Sequence, residues 1–487
     1  MQSPARRHSA REAMRVLMYK PGICVGFLGL ATCFATPATA QAFKPCEDAQ
    51  NTPALAGSLC AIAKTPLDAK IKGGPEIELF VRKFPAPKHR RGQIWLVAGG
   101  PGEAGASFYP VLPALRRAFS GYDLVIPDHR GTGYSTKLCP AQEAPESPAG
   151  ISLAGEEWGP CIGFMHANVE RSRAFTITNA SHDLARLIGQ YRQPGSMYVY
   201  GVSYGTQLIL RMMQAAPVKL DGIILDGMVP AEADASLDLS RRTNVVDAVG
   251  RATLTPAQAD RYRALLAQDA PDWIGDVPGR DLRRFMGRLL NFPTLRARIP
   301  AIIDGLSRND RAPLTQTAAA MQVELATLSV FPQSSPSLPL VMLISGSENN
   351  ERRKLTAAMV AEEAKDALFT SPLPGFLVDT PVPLYPRDAF YKQVSRRLPR
   401  TLVIHGTLDP NTPYDGSKAH AASLRAAGGR ITLSTVEGGA HFLPLVAPDC
   451  FIQAASAFVR KRTPPARCKP GKSLPDVPTV NVGASAS

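Results

Sequence analysis

Short, continuously apolar runs recur along the chain and predict buried β-strands. They lie at 78–83, 93–98, 123–128, 197–200, 220–225, 401–405 and 430–436. Amphipathic runs with helical spacing lie between most of them, at 109–119, 180–191, 207–216, 416–427 and 449–461. Strands that are apolar on both faces and alternate with helices are typical of parallel sheets covered by helices on both sides. The pattern therefore predicts an α/β protein with a mostly parallel, doubly wound sheet.

The alternation stops after the strand predicted at 220–225 and resumes at 401–405. Between them lie amphipathic helical runs, divided by proline-rich connectors, at 281–290, 314–328 and 352–368. We interpret 230–395 as a largely helical cap inserted over the sheet. The boundaries that follow are 1–40 for an export signal, 41–229 for the first part of the core, 230–395 for the cap, 396–463 for the second part of the core and 464–487 for a flexible tail.

The first 40 residues have the composition of an export signal. Basic residues precede an apolar run at 22–34, and small residues follow it. The run is too short and too interrupted for a good membrane span. A lipid anchor at Cys33 is an alternative, but the residue before it, Thr32, fits such a site badly. We expect cleavage after Ala40 or Ala42 and a periplasmic or secreted mature chain without an integral membrane span.

Charge and cysteine content narrow the expected partners. The net charge of +14 is spread without a Lys/Arg block, and no nucleic-acid motif accompanies it, so we expect no nucleic-acid partner.

Six cysteines lie beyond the predicted signal, and an even number in an exported chain predicts disulfides. The sequence leaves their pairing open, although short loops favour Cys46–Cys60, Cys139–Cys161 and Cys450–Cys468. No cysteine has metal-ligand spacing to a histidine, so no metal site is expected. The segment 43–75 is expected to be irregular.

The strand predicted at 197–200 leads into Gly201-Val-Ser203-Tyr-Gly205 and then into an apolar helical run. A sharp strand-to-helix turn needs glycine on both sides of the serine, because a Cβ there would clash with the neighbouring strand and helix. Such a turn places the hydroxyl above a helix N-terminus, where N–H groups stabilise an anion. We therefore predict that Ser203 is a catalytic nucleophile; the alternative is an ordinary Gly/Ser loop.

A glycine-rich loop, 98–103, follows the second predicted strand. Glycines allow backbone N–H groups to point into a cleft without side-chain obstruction. We predict that the N–H groups of Gly100 and of Tyr204, the residue after the nucleophile, form an oxyanion hole.

The same loop has a second interpretation. The spacing of Gly100, Gly102 and Gly105 matches a dinucleotide-binding fingerprint, with Asp128 at the end of the next strand. Against it, Pro101 stiffens the turn, and an exported enzyme would meet little NAD. Dinucleotide binding is therefore the distant alternative, and no cofactor is expected.

Two further strand ends supply an acid and a base. Asp409 and His441 each follow a predicted strand, and ligands bind at the carboxyl ends of strands in open α/β sheets. Asp409 would orient the imidazole and stabilise its charged form, while His441 would take the Ser203 proton. Asp226 and Asp415 are weaker candidates for the acid, and a turn aspartate and a structural histidine are the alternatives. The order serine, aspartate, histidine is that of α/β hydrolases.

These strand ends carry five recognisable motifs. They are Gly99-Gly-Pro-Gly102, Asp128-His-Arg-Gly-Thr-Gly-Tyr-Ser135, Gly201-Val-Ser-Tyr-Gly205, Gly406-Thr-Leu-Asp-Pro-Asn-Thr-Pro413 and Gly439-Ala-His441. In combination they resemble the proline iminopeptidase and tripeptidyl aminopeptidase family of α/β hydrolases, over 75–230 and 396–462. The resemblance implies the α/β-hydrolase fold and an exopeptidase that removes residues from free peptide N-termini.

The sequence departs from the family pattern at three positions. Ala98 stands where the oxyanion loop usually has histidine, His129 replaces a glutamine, and Gly346 replaces a cysteine in the cap segment 345–349. The resemblance of that segment implies that Glu348 lies over the cleft and binds the α-ammonium group of a substrate. A solvated loop glutamate is the alternative.

The functional prediction is an exported serine hydrolase, an aminopeptidase that cleaves residues or short peptides from free N-termini through an acyl-enzyme. Its partner would be a peptide or a small ester or amide. An esterase or amidase with the same triad is the alternative, since caps diverge more easily than triads. A more distant alternative is an inactive protein that keeps the fold and serves only for binding.

Overall fold

The computed structural model describes residues 42–471; the predicted export signal and residues 472–487 lie outside this range. The described residues contain one mixed sheet of ten strands. They are β1 Lys44–Pro45, β2 Leu59–Pro66, β3 Glu76–Phe84, β4 Gly92–Val97, β5 Tyr122–Pro127, β6 Ser196–Val202, β7 Gly222–Asp226, β8 Thr401–Gly406, β9 Ile431–Val436 and β10 Arg467–Cys468. Each strand predicted from the apolar runs is present.

The strands lie in the order β1-β2-β3-β5-β4-β6-β7-β8-β9-β10. Neighbours from β5 to β10 run parallel, whereas β1, β2 and β3 pair antiparallel with one another, and β3 pairs antiparallel with β5. The chain runs from β4 to β5 on one side and returns to place β6 on the other side of β4. This reversal puts the loops after β4 and β6 next to each other at the carboxyl edge, where ligands bind in such sheets.

The described residues form seventeen α-helices, some of which cover the two faces of the sheet. They are α1 Leu112–Ala118, α2 Trp158–Ala167, α3 Val169–Arg173, α4 Ile177–Tyr191, α5 Tyr204–Ala215, α6 Arg242–Arg251, α7 Pro256–Leu266, α8 Leu282–Leu289, α9 Pro293–Arg296, α10 Ile299–Leu306, α11 Ala312–Leu328, α12 Leu338–Glu348, α13 Ala357–Ala364, α14 Leu373–Phe376, α15 Tyr414–Ala426, α16 Leu443–Val446 and α17 Pro448–Val459. Along β4, Trp95 and Val97 pack with α4 and α5, while Ile94 and Leu96 pack with α1 and α17. This two-sided burial explains why Ile94, Trp95, Leu96 and Val97 are apolar without interruption.

The segment between β7 and β8 contributes α6 to α14 and adds no strand to the sheet of the described residues. Its helices share a hydrophobic cluster of their own, which includes Tyr262, Phe285 and Phe369. Each large apolar side chain buried in this way contributes about 1.5–3 kcal/mol. The helix predicted at 352–368 is shorter, since only α13 forms there. The cap boundaries of 230–395 remain a prediction.

One expectation about the edge of the sheet was wrong. Residues 43–75 are not simply irregular, because β2 pairs with β3 along its full length. Only alternate positions of β2 are buried and they hold small residues, such as Ala61 and Ala63, so its apolar signal is weak. The tail boundary of 464–487 remains a prediction; residues 467–468 form β10, which pairs with β9.

Three disulfides join the predicted pairs Cys46–Cys60, Cys139–Cys161 and Cys450–Cys468. The favoured short-loop pairing is thereby confirmed. Each bond closes a loop of 14 to 22 residues, and a disulfide that closes such a loop stabilises a fold by about 2–4 kcal/mol.

Within residues 42–471, no helix is long and apolar enough to cross a membrane, and no group of His, Cys, Asp and Glu side chains is arranged to hold a metal ion.

Candidate active site

Ser203 forms the turn between β6 and α5 with a positive φ of 54° and a ψ of −125°. A non-glycine residue in such a conformation costs about 1–3 kcal/mol, so its surroundings must hold it. The Ser203 N–H donates to the carbonyl oxygen of Asp226 at 3.0 Å. The Ser203 carbonyl oxygen accepts from the N–H and the hydroxyl of Thr206, at 2.9 and 2.6 Å. The turn is therefore fixed both from β7 and from the first turn of α5.

Two glycines allow this turn by close approach of backbone to backbone. A Cβ at Gly201 would lie 2.5 Å from the Ile209 side chain and 2.8 Å from the carbonyl of Gly205. A Cβ at Gly205 would lie 2.4 Å from the carbonyl oxygen of Val97 on β4. The clash with the neighbouring strand and helix that the sequence predicted is therefore the reason for glycine at both positions.

His441, in the loop after β9, lies beside Asp409, in the loop after β8. Its Nδ1 lies 2.7 Å from Oδ2 of Asp409. The Asp409 side chain is fully buried and also accepts from the N–H groups of Asn411 and Thr412 at 2.8 and 2.9 Å and from the Thr412 hydroxyl at 2.7 Å. Burial alone would raise the pKa of Asp409, but the charge and hydrogen bond of His441 lower it well below its ordinary value. Asp409 is therefore ionised and fixed in orientation.

The ring of His441 is held as a strong base. Burial lowers its pKa, but the Asp409 charge and hydrogen bond, with smaller contributions from Asp226 and Glu103, leave the pKa above its ordinary value. Among the hydrogen bonds of the described residues, none joins either of the two weaker candidates for the acid to the ring. Asp226 accepts from the Tyr200 hydroxyl at 2.7 Å and the Leu443 N–H at 3.1 Å, and Asp415 is exposed at the start of α15.

One cavity of about 220 Å³ brings the predicted residues together. Ser203, Tyr204, Gly100, Glu348 and His441 all line it. Among the hydrogen bonds of residues 42–471, none joins the Ser203 hydroxyl to the His441 ring. Catalytic hydrogen bonds are often long without substrate and shorten in the complex. The Ser203 alcohol and the His441 ring therefore share one cavity.

The loop after β4, which contains Gly100, is held by a hydrogen bond from a buried histidine. Gly100 has a φ of 106°, and a Cβ there would lie 2.2 Å from the Gly102 nitrogen. His129 lies under the loop with Nε2 2.6 Å from the carbonyl oxygen of Pro101, which can only accept. Burial lowers the pKa of His129 to about 4, so the ring is neutral and donates this hydrogen bond. The histidine that replaces the family's glutamine thus supports the predicted oxyanion loop.

Asp128, the acid of the dinucleotide fingerprint, is not free to bind a ribose. Its two carboxylate oxygens accept from the N–H groups of Gly105 and Tyr134, at 2.7 and 2.9 Å. The side chain is buried, and a Cβ at Gly133 would lie 2.0 Å from it. The glycine loop therefore lacks the available carboxylate that dinucleotide recognition requires.

Glu348, at the end of α12, belongs to a group of charges that we call the carboxylate cluster: Arg211, Glu232, Glu348 and Asp388. Arg211, on α5, lies 2.8 Å from Glu348, 2.9 Å from Glu232 and 3.6 Å from Asp388. Glu348 also accepts from the Tyr385 hydroxyl at 2.9 Å. Burial raises the pKa of Glu348, and the charge of Arg211 opposes that rise. One cation therefore serves three carboxylates, two of which, Glu232 and Glu348, line the cavity.

Sequence reasoning assigned no role to Glu103, Arg211 or Arg242. Glu103 lines the cavity, with Oε2 3.1 Å from where a Cβ of Gly99 would lie. Burial raises the pKa of its carboxyl, and the charge of His441 opposes that rise. Arg242, the first residue of α6, lines the same cavity. The position of Glu103 directly after the glycine loop was a usable signal, whereas the two arginines lie in helical runs that resemble exposed helix faces.

The parallel sheet, the strained turn after β6 and the acid–base pair at its carboxyl edge define the class of α/β hydrolases. The model of the alpha/beta hydrolase fold family matches residues 94–448, and the chain belongs to this family.

Known proteins resemble the chain at low identity. The serine protease Hip1 of Mycobacterium tuberculosis is 23% identical over 501 aligned positions, which cover 92% of this chain and 94% of that protein. A proline iminopeptidase-related protein from Thermus thermophilus is 17% identical with a TM-score of 0.39, over 82% of this chain and 97% of that one. A thermophilic esterase from Thermogutta terrifontis is 16% identical with a TM-score of 0.37, over 82% and 98%.

Proposed function

We propose that the protein is a serine hydrolase in which Ser203, His441 and Asp409 form a catalytic triad. The observation that carries this proposal is the 2.7 Å contact between His441 and a buried, ionised Asp409, in a cavity that the strained Ser203 also lines. Strained residues persist where the surrounding structure holds them, and they cluster at active sites. The serine protease name of the relative Hip1 agrees with this chemistry.

The proposed reaction follows from the positions of these groups. The Ser203 Oγ attacks a substrate carbonyl while Nε2 of His441 takes its proton, and Asp409 stabilises the imidazolium that results. The N–H groups of Gly100 and Tyr204 stabilise the oxyanion, each by about 3–4 kcal/mol. His441 then protonates the leaving group, and a water molecule that His441 activates hydrolyses the acyl-enzyme.

We further propose that the enzyme is an aminopeptidase that requires a free N-terminus. The carboxylate cluster holds three acidic groups around one arginine, so an ammonium ion beside Glu348 and Glu232 would balance excess negative charge. A charge-assisted hydrogen bond of this kind contributes about 1.5–3 kcal/mol. The resemblance of the segment 345–349 to the proline iminopeptidase and tripeptidyl aminopeptidase family supports Glu348 as the group that binds the α-ammonium of the substrate. The export-signal composition and the three disulfides support a periplasmic or secreted location.

Labelling with a fluorophosphonate probe tests the triad. Ser203→Ala should abolish labelling, while Ser329→Ala, at an exposed serine after α11, should leave it intact. A folded wild-type protein that takes no label would exclude a serine hydrolase and support a binding protein.

Matched aminoacyl amides with free and acetylated amino groups test the aminopeptidase. We expect the wild type to prefer the free amine by about 10-fold or more, and Glu348→Gln to reduce that preference. Glu76→Gln, at an exposed position on β3, is the control. Equal turnover of blocked and free substrates, with label on Ser203, would replace the aminopeptidase with an esterase or amidase.

A further inference from the structure

The cavity that contains Ser203 and His441 is lined by many acidic side chains and one guanidinium. Within the described chain, its charged lining residues besides His441 are Glu103, Glu232, Asp234, Asp238, Glu348, Glu351 and Arg242. Most of these carboxylates accept hydrogen bonds from protein groups, such as Arg211 to Glu232 and Glu348 and Lys392 to Glu351. Arg242 is the one arginine or lysine among the described residues that line this cavity.

Arg242 has no partner among the groups of residues 42–471. It is 5% exposed, and its Nε is buried without a hydrogen bond. The other arginines that are buried to the same degree in this part of the chain all pair with a carboxylate. They are Arg82 with Asp48 at 2.5 Å, Arg130 with Asp183 at 2.6 Å, and Arg211 with Glu348 at 2.8 Å. The unpaired state of Arg242 is therefore an exception in this fold.

The nearest negative charges are already committed to other groups. Asp409 binds His441, and Asp238 accepts from the Ser240 hydroxyl at 2.5 Å and the Glu351 N–H at 2.7 Å. Burial lowers the pKa of Arg242 to about 10, and the charges of Asp409 and Asp238 oppose that fall. The guanidinium is thus charged at neutral pH, and a buried charge without a partner is costly. An anion that enters the cavity would supply the missing partner.

We infer that Arg242 binds a carboxylate group of the substrate and makes the enzyme selective for short peptides that carry one. A guanidinium presents a planar fork of donors that matches a carboxylate. Because the cavity also contains the carboxylate cluster, a short peptide with a free amino group and a carboxylate would satisfy both kinds of charge. The carboxylate could be the free C-terminus of the peptide or the side chain of an Asp or Glu residue. This inference rests on the proposed hydrolase function.

The test uses the full mature chain and unblocked di- and tripeptides. One series compares each peptide acid with its C-terminal amide; a second compares amidated peptides that contain Asp or Glu with their Asn or Gln counterparts. We expect kcat/KM to favour the carboxylate in one series by about 10- to 150-fold, the range that a hydrogen bond between charged groups supports. The series that shows the preference identifies which carboxylate binds.

Variants assign the preference to Arg242. Arg242→Met keeps the length of the side chain without its charge and should reduce the preference to near unity, whereas Arg242→Lys should retain part of it. Arg308→Met, at an exposed arginine after α10, should keep the full wild-type preference. Because Arg242→Lys keeps the charge, it also tests the assignment if Arg242→Met fails to fold.

Two outcomes separate this inference from the proposed function. Hydrolysis that depends on Ser203 but treats acids and amides alike in both series would overturn the role of Arg242 and leave the hydrolase in place. A preference for the carboxylate that survives unchanged in Arg242→Lys and Arg242→Met would also overturn it. Absence of any Ser203-dependent hydrolysis would instead contradict the proposed function.

Discussion

The carboxylate of Asp409 and the ring of His441 meet at 2.7 Å although 32 residues separate them in the chain. Each follows one of two adjacent parallel strands, β8 and β9, which pair from Thr401↔Ile431 to Gly406↔Val436. Because the two strands end at the same level, their loops leave the sheet side by side. The register of the sheet thus sets the contact between acid and base.

Asp409→Asn tests this contact. The amide keeps the shape of the side chain but removes the charge that orients His441 and stabilises its protonated form, so we expect kcat to fall by about 1,000- to 10,000-fold. Kinetics on an activated ester and a thermal melt would measure activity and folding together. Asp415→Asn, at the exposed candidate after β8, is the control and should change little. A loss of less than 10-fold in a folded Asp409→Asn variant would contradict the triad.

The pH dependence of kcat/KM reports the state of His441. Only the neutral ring accepts the Ser203 proton, so activity is lost as the pH falls through its pKa. Since Asp409 holds that pKa above its ordinary value of about 6.5, the acidic limb should lie above pH 6.5 and move to lower pH in Asp409→Asn. Burial raises the pKa of Asp226 to about 7, so this carboxyl titrates nearby. If Asp226→Asn, rather than Asp409→Asn, moved the limb, the assignment to His441 would be wrong.

Gly205→Ala tests the close packing of the turn. The added methyl would lie 2.4 Å from the Val97 carbonyl oxygen, and backbone cannot give way cheaply, so we expect a loss of about 1–3 kcal/mol in the free energy of unfolding. Urea titration measures it. Gly163→Ala is the matched change: Gly163 lies inside α2 with nothing within 4 Å of the new methyl, and alanine there should stabilise by up to about 1 kcal/mol. Equal effects at the two sites would contradict this explanation.

Arg211→Met tests the carboxylate cluster. Removing the cation leaves the buried Glu348 and the half-buried Glu232 without it, which should destabilise the protein by about 3–5 kcal/mol at neutral pH. The pKa of Glu348, which burial already raises, would then rise further, so the folded state would bind more protons than the unfolded state and part of the loss should be recovered as the pH falls. Urea titrations at pH 7 and pH 5 measure both effects. Adding Glu348→Gln should restore stability at pH 7; a further loss would argue against charge as the cause.

The central sheet and the positions of Ser203, Asp409 and His441 at its carboxyl edge could be predicted because their signals are local. Strands such as β4 are buried on both faces and so are mostly apolar, and Ser203, Asp409 and His441 each follow the end of a predicted strand. Strand β2 escaped prediction because its buried positions hold small residues. The roles of Arg211 and Arg242 were not predicted for a different reason. Each lies in a helical run, and arginine is common on the exposed face of a helix. The partners of a buried arginine can lie far away in the chain: Glu348, which pairs with Arg211, is 137 residues from it.

Arg211 lies on α5, the helix that begins directly after Ser203, and it anchors side chains contributed by the segment between β7 and β8. In directed evolution toward a new substrate, selectivity and turnover would therefore be linked. Exchanging Glu348 or Glu232 for other residues would change the contacts of the helix that begins after Ser203, the proposed nucleophile, so we expect gains in selectivity to come with losses in turnover. Libraries that vary Arg211 along with its carboxylates would be the way to separate them.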